Sequence, residues 1–171
     1  MNVAEARSFW DVHLGHVLML GGWLLVVAVC CLRNARDVHL RRSPWLYAAA
    51  AATVLSGAVH LAVTREHFEE SALYGWFFLV LTIVQLAWAA RLVLRPRLAW
   101  LFAGAAGSLL VVLLWLATRT IGIPLGAAAG EREAFGLPDL IASGAEVGVV
   151  VFALLAMWPV LRPVPGIVRP A

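Results

Sequence analysis

The sequence predicts an all-α integral membrane protein, a single transmembrane domain over residues 1–171 built as a bundle of five transmembrane helices. Two observations support this fold class. Hydrophobic side chains make up 63% of the chain and charged ones only 13%, whereas soluble domains average about 25% charged residues. The apolar residues also fall into five runs of about 20 residues, which is long enough to cross the core of a bilayer.

The first two spans are predicted at Leu14 to Leu32 and at Trp45 to Thr64. Arg33 closes the first span and begins a basic connector. Pro44 stands directly before the second span, and the first turn of a helix is where proline is tolerated.

The remaining spans are predicted at Leu73 to Leu94, Leu98 to Thr118 and Leu140 to Leu161. A charged loop, Arg65 to Ser71, separates spans two and three, and a tight RPR turn separates spans three and four. The connector before span five, Arg119 to Pro138, is polar and long. Loops of that length are uncommon and often functional.

Arginines are concentrated on one side of the predicted bundle. That side holds Arg33, Arg36, Arg41, Arg42, Arg95, Arg97, Arg162 and Arg169. The other side holds Arg7, Arg65, Arg119 and Arg132. The positive-inside rule therefore predicts a multi-pass protein of the cytoplasmic (inner) membrane, with the N-terminus outside and the C-terminus in the cytoplasm. All 13 basic residues are arginine, which is typical of a GC-rich bacterial genome.

Polar residues recur at helical spacing inside three of the spans. Because lipid cannot satisfy polar groups, such a face is expected to point into the bundle. On span two the stripe is Thr53, Ser56, His60, Thr64 and His67; on span three it is Tyr74, Thr82 and Gln85; on span five it is Asp139, Ser143 and Glu146.

His60 and Glu146 are the most costly of these residues. An acidic side chain at the centre of a membrane helix costs about 2.5–3.5 kcal/mol on insertion scales, so it needs a partner, a proton or a wet cavity. We expect the two side chains to face each other near the outer end of the bundle. The structural alternative is a pair of Glu146 with Arg119 or with His60 that only fixes helix packing.

The most specific hypothesis for the histidines and glutamates near the outer face is a transition-metal site. Imidazole suits zinc, copper and iron, and carboxylates can complete the coordination shell. The candidate ligands are His13, His16, His60, His67, Glu70 and Glu146. A haem b held by His16 and His60 is a second version, which would require the two helices to stand apart.

The leading functional interpretation is a small membrane protein that binds a metal (Cu, Fe or Zn) at its outer face as an accessory to a redox or metal-handling system. One alternative is a non-catalytic structural subunit. The other is a proton-coupled enzyme or transporter that uses His60 and Glu146. The sequence has no nucleophile motif, phosphate loop or dinucleotide fingerprint, and it leaves enzymatic activity open.

The predicted partners follow from the same pattern. The apolar spans require a lipid bilayer, and the bundle could pack against another membrane protein or a second copy of itself. Nucleic acid is not expected, because the arginines flank apolar runs and set topology.

Two segments, HLAVTREHFEE and TRTIGIPLG, stand near the ends of spans two and four. Their pairing resembles small polytopic membrane proteins of actinobacteria. The resemblance covers most of spans two to five and implies no activity, cofactor or partner.

Overall fold

The computed structural model describes residue 22, residues 38–122 and residues 129–162. Within these residues the protein is all-α, and its one β feature is an isolated bridge between His39 and Arg97. Its four helices are α1 (Pro44–Glu70), α2 (Ala72–Leu94), α3 (Leu98–Thr120) and α4 (Leu137–Leu161).

All four helices are long and apolar enough to cross a membrane, as the sequence predicts. They cover the second to fifth predicted spans. The first predicted span, Leu14 to Leu32, lies outside the described residues apart from Gly22. Four of the five expected helices therefore lie within the described residues.

The charged loop predicted from Arg65 to Ser71 is wrong, because α1 continues through it to Glu70. The segment contains neither glycine nor proline, and its charges support the helix. Arg65 Nε lies 3.1 Å from Glu69 Oε1 at the i,i+4 spacing that stabilises helices. A single residue, Ser71, then ends α1 and caps α2, since its Oγ accepts a hydrogen bond from the N–H of Leu73 (3.3 Å).

The start of α4 is also earlier than the predicted Leu140. The helix begins at Leu137, and Pro138 occupies its first turn. The Asp139 carboxylate accepts a hydrogen bond from the N–H of Gly136 (3.1 Å), which satisfies one of the donors that a helix start leaves free. The same carboxylate belongs to the candidate site below.

The bundle is organised around α1 and α4. α1 packs against α2 and α4, and α4 also packs against α3, whereas α2 and α3 touch each other only slightly. One end, which we call the Arg97 end, is where α1 and α3 begin and α2 and α4 finish. The opposite end, the His67 end, is where α1 and α3 finish and α2 and α4 begin.

The Arg97 end is closed by packing and by hydrogen bonds. A buried cluster fills it, formed by Leu40, Leu46, Leu92, Leu101 and Met157 among others. The segment before α1 is held to the turn before α3 by the N–H of Leu40 donating to Pro96 O (3.1 Å). Trp88 of α2 donates through Nε1 to the carbonyl of Trp100 on α3 (2.7 Å). The helices α2 and α3 are therefore joined at this end.

Candidate functional site

A hydrogen-bonded polar network lies inside the bundle and joins three helices. At its centre is Glu146 of α4, whose residue surface is 0% exposed. Ser56 of α1 donates through Oγ to Glu146 Oε1 (2.7 Å). Gln85 of α2 donates through Nε2 to the same oxygen and, at 3.3 Å, to Ser56 Oγ.

His60 joins this network through Gln85. Its Nδ1 lies 3.0 Å from Gln85 Oε1. Because the amide nitrogen of Gln85 faces Glu146, its oxygen is the acceptor, and a neutral His60 donates through Nδ1. The network thus assigns the tautomer, with Nε2 as the ring nitrogen that can accept a proton or a hydrogen bond.

The polar stripes predicted on the helices do point into the bundle. Thr53, Ser56, His60 and Thr64 are all buried, as are Thr82 and Gln85 on α2 and Ser143 and Glu146 on α4. His60 and Glu146 were expected to face each other. They are instead linked through Gln85, which lies between them and forms hydrogen bonds with both. Gln85 belongs to a predicted polar face, but the spacing did not indicate that it links His60 to Glu146. The available signal was that Gln85 is the one amide side chain in a very apolar helix.

Two cavities lie beside the network. The larger, of about 100 Å³, opens at the His67 end and is lined by residues of all four helices, including His60, His67 and Arg119. The smaller, of about 20 Å³, is lined by Glu146, Gln85, Ser108 and Thr53 among others. Leu81 and Val111 line both cavities, so these two side chains form the wall between them.

Arg119 lies at the mouth of the larger cavity. Its side chain is only 8% exposed and forms ion pairs with Glu133 (2.9 Å) and Asp139 (2.7 Å). Arg119 therefore does not form the alternative pair with Glu146, which lies deeper and contacts Ser56 and Gln85.

The connector after α3 supplies one of these partners. Gly122, at a φ of 68°, reverses the chain where a Cβ would come within 2.8 Å of the Gly130 and Glu131 carbonyl oxygens. The N–H of Glu133 then donates to Thr118 O (3.1 Å), which brings the Glu133 carboxylate beside Arg119. Glu133 thereby lines the same cavity as His60 and His67.

His67 lies on the wall of the same cavity. Its ring stacks on Phe78 with centroids 4.0 Å apart and planes 4° apart, and its Nδ1 lies 2.9 Å from Glu70 Oε2. His67 and Glu70 are thus held together by the final turn of α1, the turn that the sequence predicted as loop.

The described part of the chain contains no set of ligands that would support the metal hypothesis. Within residues 38–122 and 129–162, no group of three or more His, Cys, Asp or Glu side chains is placed to hold a metal ion. Glu146 is separated from His67 and Glu70, since it lines only the smaller cavity and they line only the larger. His13 and His16 lie outside the described residues.

The four membrane-length helices and their buried polar network define the class of this molecule as a multi-pass membrane protein. No family model, curated protein or solved structure matches the chain.

Proposed function

We propose that the protein is a proton-coupled membrane protein in which Glu146 takes up and releases a proton, with His60 as the titratable group on the side of the larger cavity. Of the functions considered from the sequence, this one uses the groups that the bundle buries together. A metal accessory role would need ligands beyond those in residues 38–122 and 129–162.

The observation that carries the proposal is the burial of Glu146 without a basic partner. The residue is 0% exposed, and no ion pair among the described residues includes it. Its second oxygen, Oε2, has no hydrogen-bond partner among them either. Ionisable side chains inside membrane helices are expensive and commonly mark proton relays or substrate pathways.

The smaller cavity supplies a route for the proton. The amide side chain of Gln85 does not gain or lose a proton near neutral pH. It therefore positions His60 and Glu146 and does not carry the transferred proton. A volume of about 20 Å³ is enough for one water, and Ser108 and Thr53 offer that water hydroxyl partners beside Glu146. Leu81 and Val111 separate this water from the larger cavity. A proton therefore reaches the Glu146 carboxylate when these two side chains move apart and water connects the two cavities.

The charged and titratable groups around the route come from every helix of the described bundle. They line the larger cavity and are His60, His67 and Glu70 on α1, Tyr74 on α2, Arg119 on α3 and Asp139 on α4, with Glu133 from the connector. These groups include three carboxylates, Glu70, Glu133 and Asp139, and one guanidinium. The mouth is therefore net acidic, which favours the arrival of protons.

Infrared difference spectroscopy of the protein in lipid nanodiscs tests the proposal directly. As the pH is raised, the wild-type protein is expected to lose the carbonyl stretch of one buried protonated acid, at a higher frequency than the bands of its exposed carboxyl groups. Glu146→Gln keeps the shape and removes the titration, so this band should be absent at every pH. Glu70→Gln, at an exposed side chain with 57% accessibility, is the matched control and should keep the band.

Two results would contradict the proposed titration of Glu146. If the wild-type band stays constant across the pH range, Glu146 holds a fixed proton and its role is to specify packing. Identical spectra for Glu146→Gln and the wild type would show that Glu146 does not titrate, which also contradicts the proposal.

We also propose that the His67 end lies outside and the Arg97 end in the cytoplasm, with the predicted first span as the fifth helix. The helix ends support this orientation, because Arg41, Arg42, Arg95, Arg97 and Arg162 belong to the Arg97 end, whereas Arg65, Arg119 and Arg132 belong to the His67 end.

Reporter fusions test the orientation. Alkaline phosphatase should be active when fused after Glu133 and inactive when fused after Arg42. The reverse pattern would place the acidic cavity mouth in the cytoplasm.

A further inference from the structure

One ring nitrogen of His60 is open to the larger cavity. His60 lines this cavity, and only 5% of its residue surface is exposed. Its Nδ1 is engaged by Gln85 Oε1, which leaves Nε2 as the acceptor of the neutral ring. No hydrogen bond from the described residues reaches Nε2. Their unpaired and inaccessible atoms include Trp115 Nε1 but not His60 Nε2, so a molecule in the cavity has access to this nitrogen.

A carboxylate of the same cavity lies close to His60 in height. The hydrogen bond from Ser56 of α1 to Glu146 of α4 fixes the relative height of these two antiparallel helices. Toward the His67 end, His60 follows Ser56 by four residues and Asp139 lies seven residues from Glu146. At a rise of about 1.5 Å per residue, Asp139 is therefore only about 5 Å nearer the mouth than His60.

Asp139 keeps one carboxylate oxygen for a further partner. Its Oδ2 pairs with Arg119 (2.7 Å) and accepts the N–H of Gly136 (3.1 Å). Its Oδ1 has no such partner in the described ranges, and 33% of the side chain is exposed. Since Glu133 shares the same guanidinium, two carboxylates surround one positive charge. The group therefore retains a negative charge beside the cavity.

Aromatic and aliphatic side chains form most of the remaining wall. Phe78 packs edge-on to the His60 ring, with centroids 5.4 Å apart and planes at 60°. Phe77 and Trp115 also line the cavity, and aromatic rings of this kind attract organic cations. The volume is about 100 Å³ with an open mouth. A cavity of about 150 Å³ holds benzene, so a ring that projects partly into the mouth would fit.

The charge and the hydrogen-bonding groups of a matching molecule follow from these residues. His60 Nε2 is an acceptor and therefore needs a donor. An anion would meet the carboxylates of Glu70, Glu133 and Asp139. An alcohol supplies a donor but leaves the charge of Asp139 uncompensated. An organic ammonium ion supplies the donor, the positive charge and an apolar body.

We infer that the larger cavity binds a small primary ammonium ion with an apolar body, which donates one N–H to His60 Nε2 and lies beside the free oxygen of Asp139. The inference goes beyond proton uptake by Glu146 and does not require it, because Glu146 lines only the smaller cavity. Cation binding and the infrared band of Glu146 are separate measurements, so either result can fail alone.

Two probes of similar size test the inference with the full-length protein in nanodiscs at pH 7. Benzylamine is protonated at this pH, and benzyl alcohol is its uncharged counterpart. In equilibrium dialysis, after subtraction of binding to protein-free nanodiscs, benzylammonium should bind about tenfold more tightly, because hydrogen bonds with charged groups are the stronger ones. In protein labelled with ¹⁵N-histidine, one unprotonated Nε2 resonance should shift as benzylammonium is added.

Asp139→Asn removes the charge and keeps an oxygen for the Gly136 N–H. We expect it to weaken benzylammonium binding by about tenfold. Benzyl alcohol binding should not change, which shows that the cavity is intact. Glu69→Gln is the matched control, since Glu69 is 66% exposed, pairs with Arg65 and does not line the cavity. This control should alter the binding of neither probe.

Three outcomes would overturn the inference, and the wild-type protein alone can give each of them. Equal binding of benzyl alcohol and benzylammonium would mean that the site does not recognise charge. A histidine spectrum that stays constant while benzylammonium binds would place the cation away from His60. Binding of both probes no stronger than to protein-free nanodiscs would mean that the cavity takes no ligand of this class.

Discussion

Replacing Gln85 with leucine is expected to lower the free energy of unfolding by about 2–5 kcal/mol. Leucine has a similar volume, so the change removes hydrogen bonds and leaves little cavity. Hydrogen bonds between membrane helices average only about 0.6 kcal/mol each, and three such bonds alone would give the lower limit. The variant also leaves the buried His60 Nδ1 without its acceptor, and an unsatisfied buried donor adds about 1–3 kcal/mol.

Equilibrium unfolding in mixed micelles, followed by helical circular dichroism, measures this effect. Thr82→Val is the matched control one turn earlier on α2. Thr82 is as deeply buried, but its Oγ donates to Phe78 O of its own helix (2.9 Å) and only at 3.4 Å to Gly57 O of α1. We expect the control to cost less than about 1 kcal/mol. Equal losses for the two variants would show that Gln85 is not the link between the helices.

Replacing Gly104 with alanine is expected to destabilise the bundle by about 1–3 kcal/mol, the usual cost of overpacking a well-filled contact. A Cβ at this position would overlap with the ring of Trp88. That ring is held in place by its hydrogen bond to the carbonyl of Trp100, so it cannot move aside freely. The clash outweighs the gain of about 0.5–1 kcal/mol that alanine brings over glycine inside a helix.

Gly144→Ala is the control for this prediction. No described atom lies within 4 Å of a Cβ built at Gly144, so the helix-propensity gain should remain and stability should rise slightly. The same micelle unfolding assay compares the two variants. Loss of stability at Gly144 equal to that at Gly104 would contradict the contact between α2 and α3.

The polar stripes of α1, α2 and α4 could be predicted because they depend on helical periodicity alone. Thr53, Ser56, His60 and Thr64 recur at steps of three and four, and a membrane leaves such a face no place except the interior. The burial of Glu146 follows from the same reasoning. Periodicity does not place the partner helices, however, so it could not say which of the facing polar groups would touch.

The predicted end of α1 was wrong for a local chemical reason. Arg65 to Glu70 reads as loop because it is charged, yet each residue is acceptable in a helix and the i,i+4 pair of Arg65 with Glu69 favours one. Hydropathy indicates where a helix leaves the apolar core of the membrane. It does not indicate where the hydrogen bonds of the helix end. Ser71 alone separates α1 from α2, because its side chain caps the start of α2.

The sequence by itself determined an all-helical membrane bundle, the polar faces of its helices and the unusual burial of His60 and Glu146. The tertiary structure decided the partners. Gln85 links His60 to Glu146 because the rotation and height of α2 against α1 and α4 bring its amide between them. Arg119 pairs with Glu133 and Asp139 because the connector returns to the end of α3. Both contacts join residues far apart in the chain, and their distances depend on helix packing that no local pattern encodes.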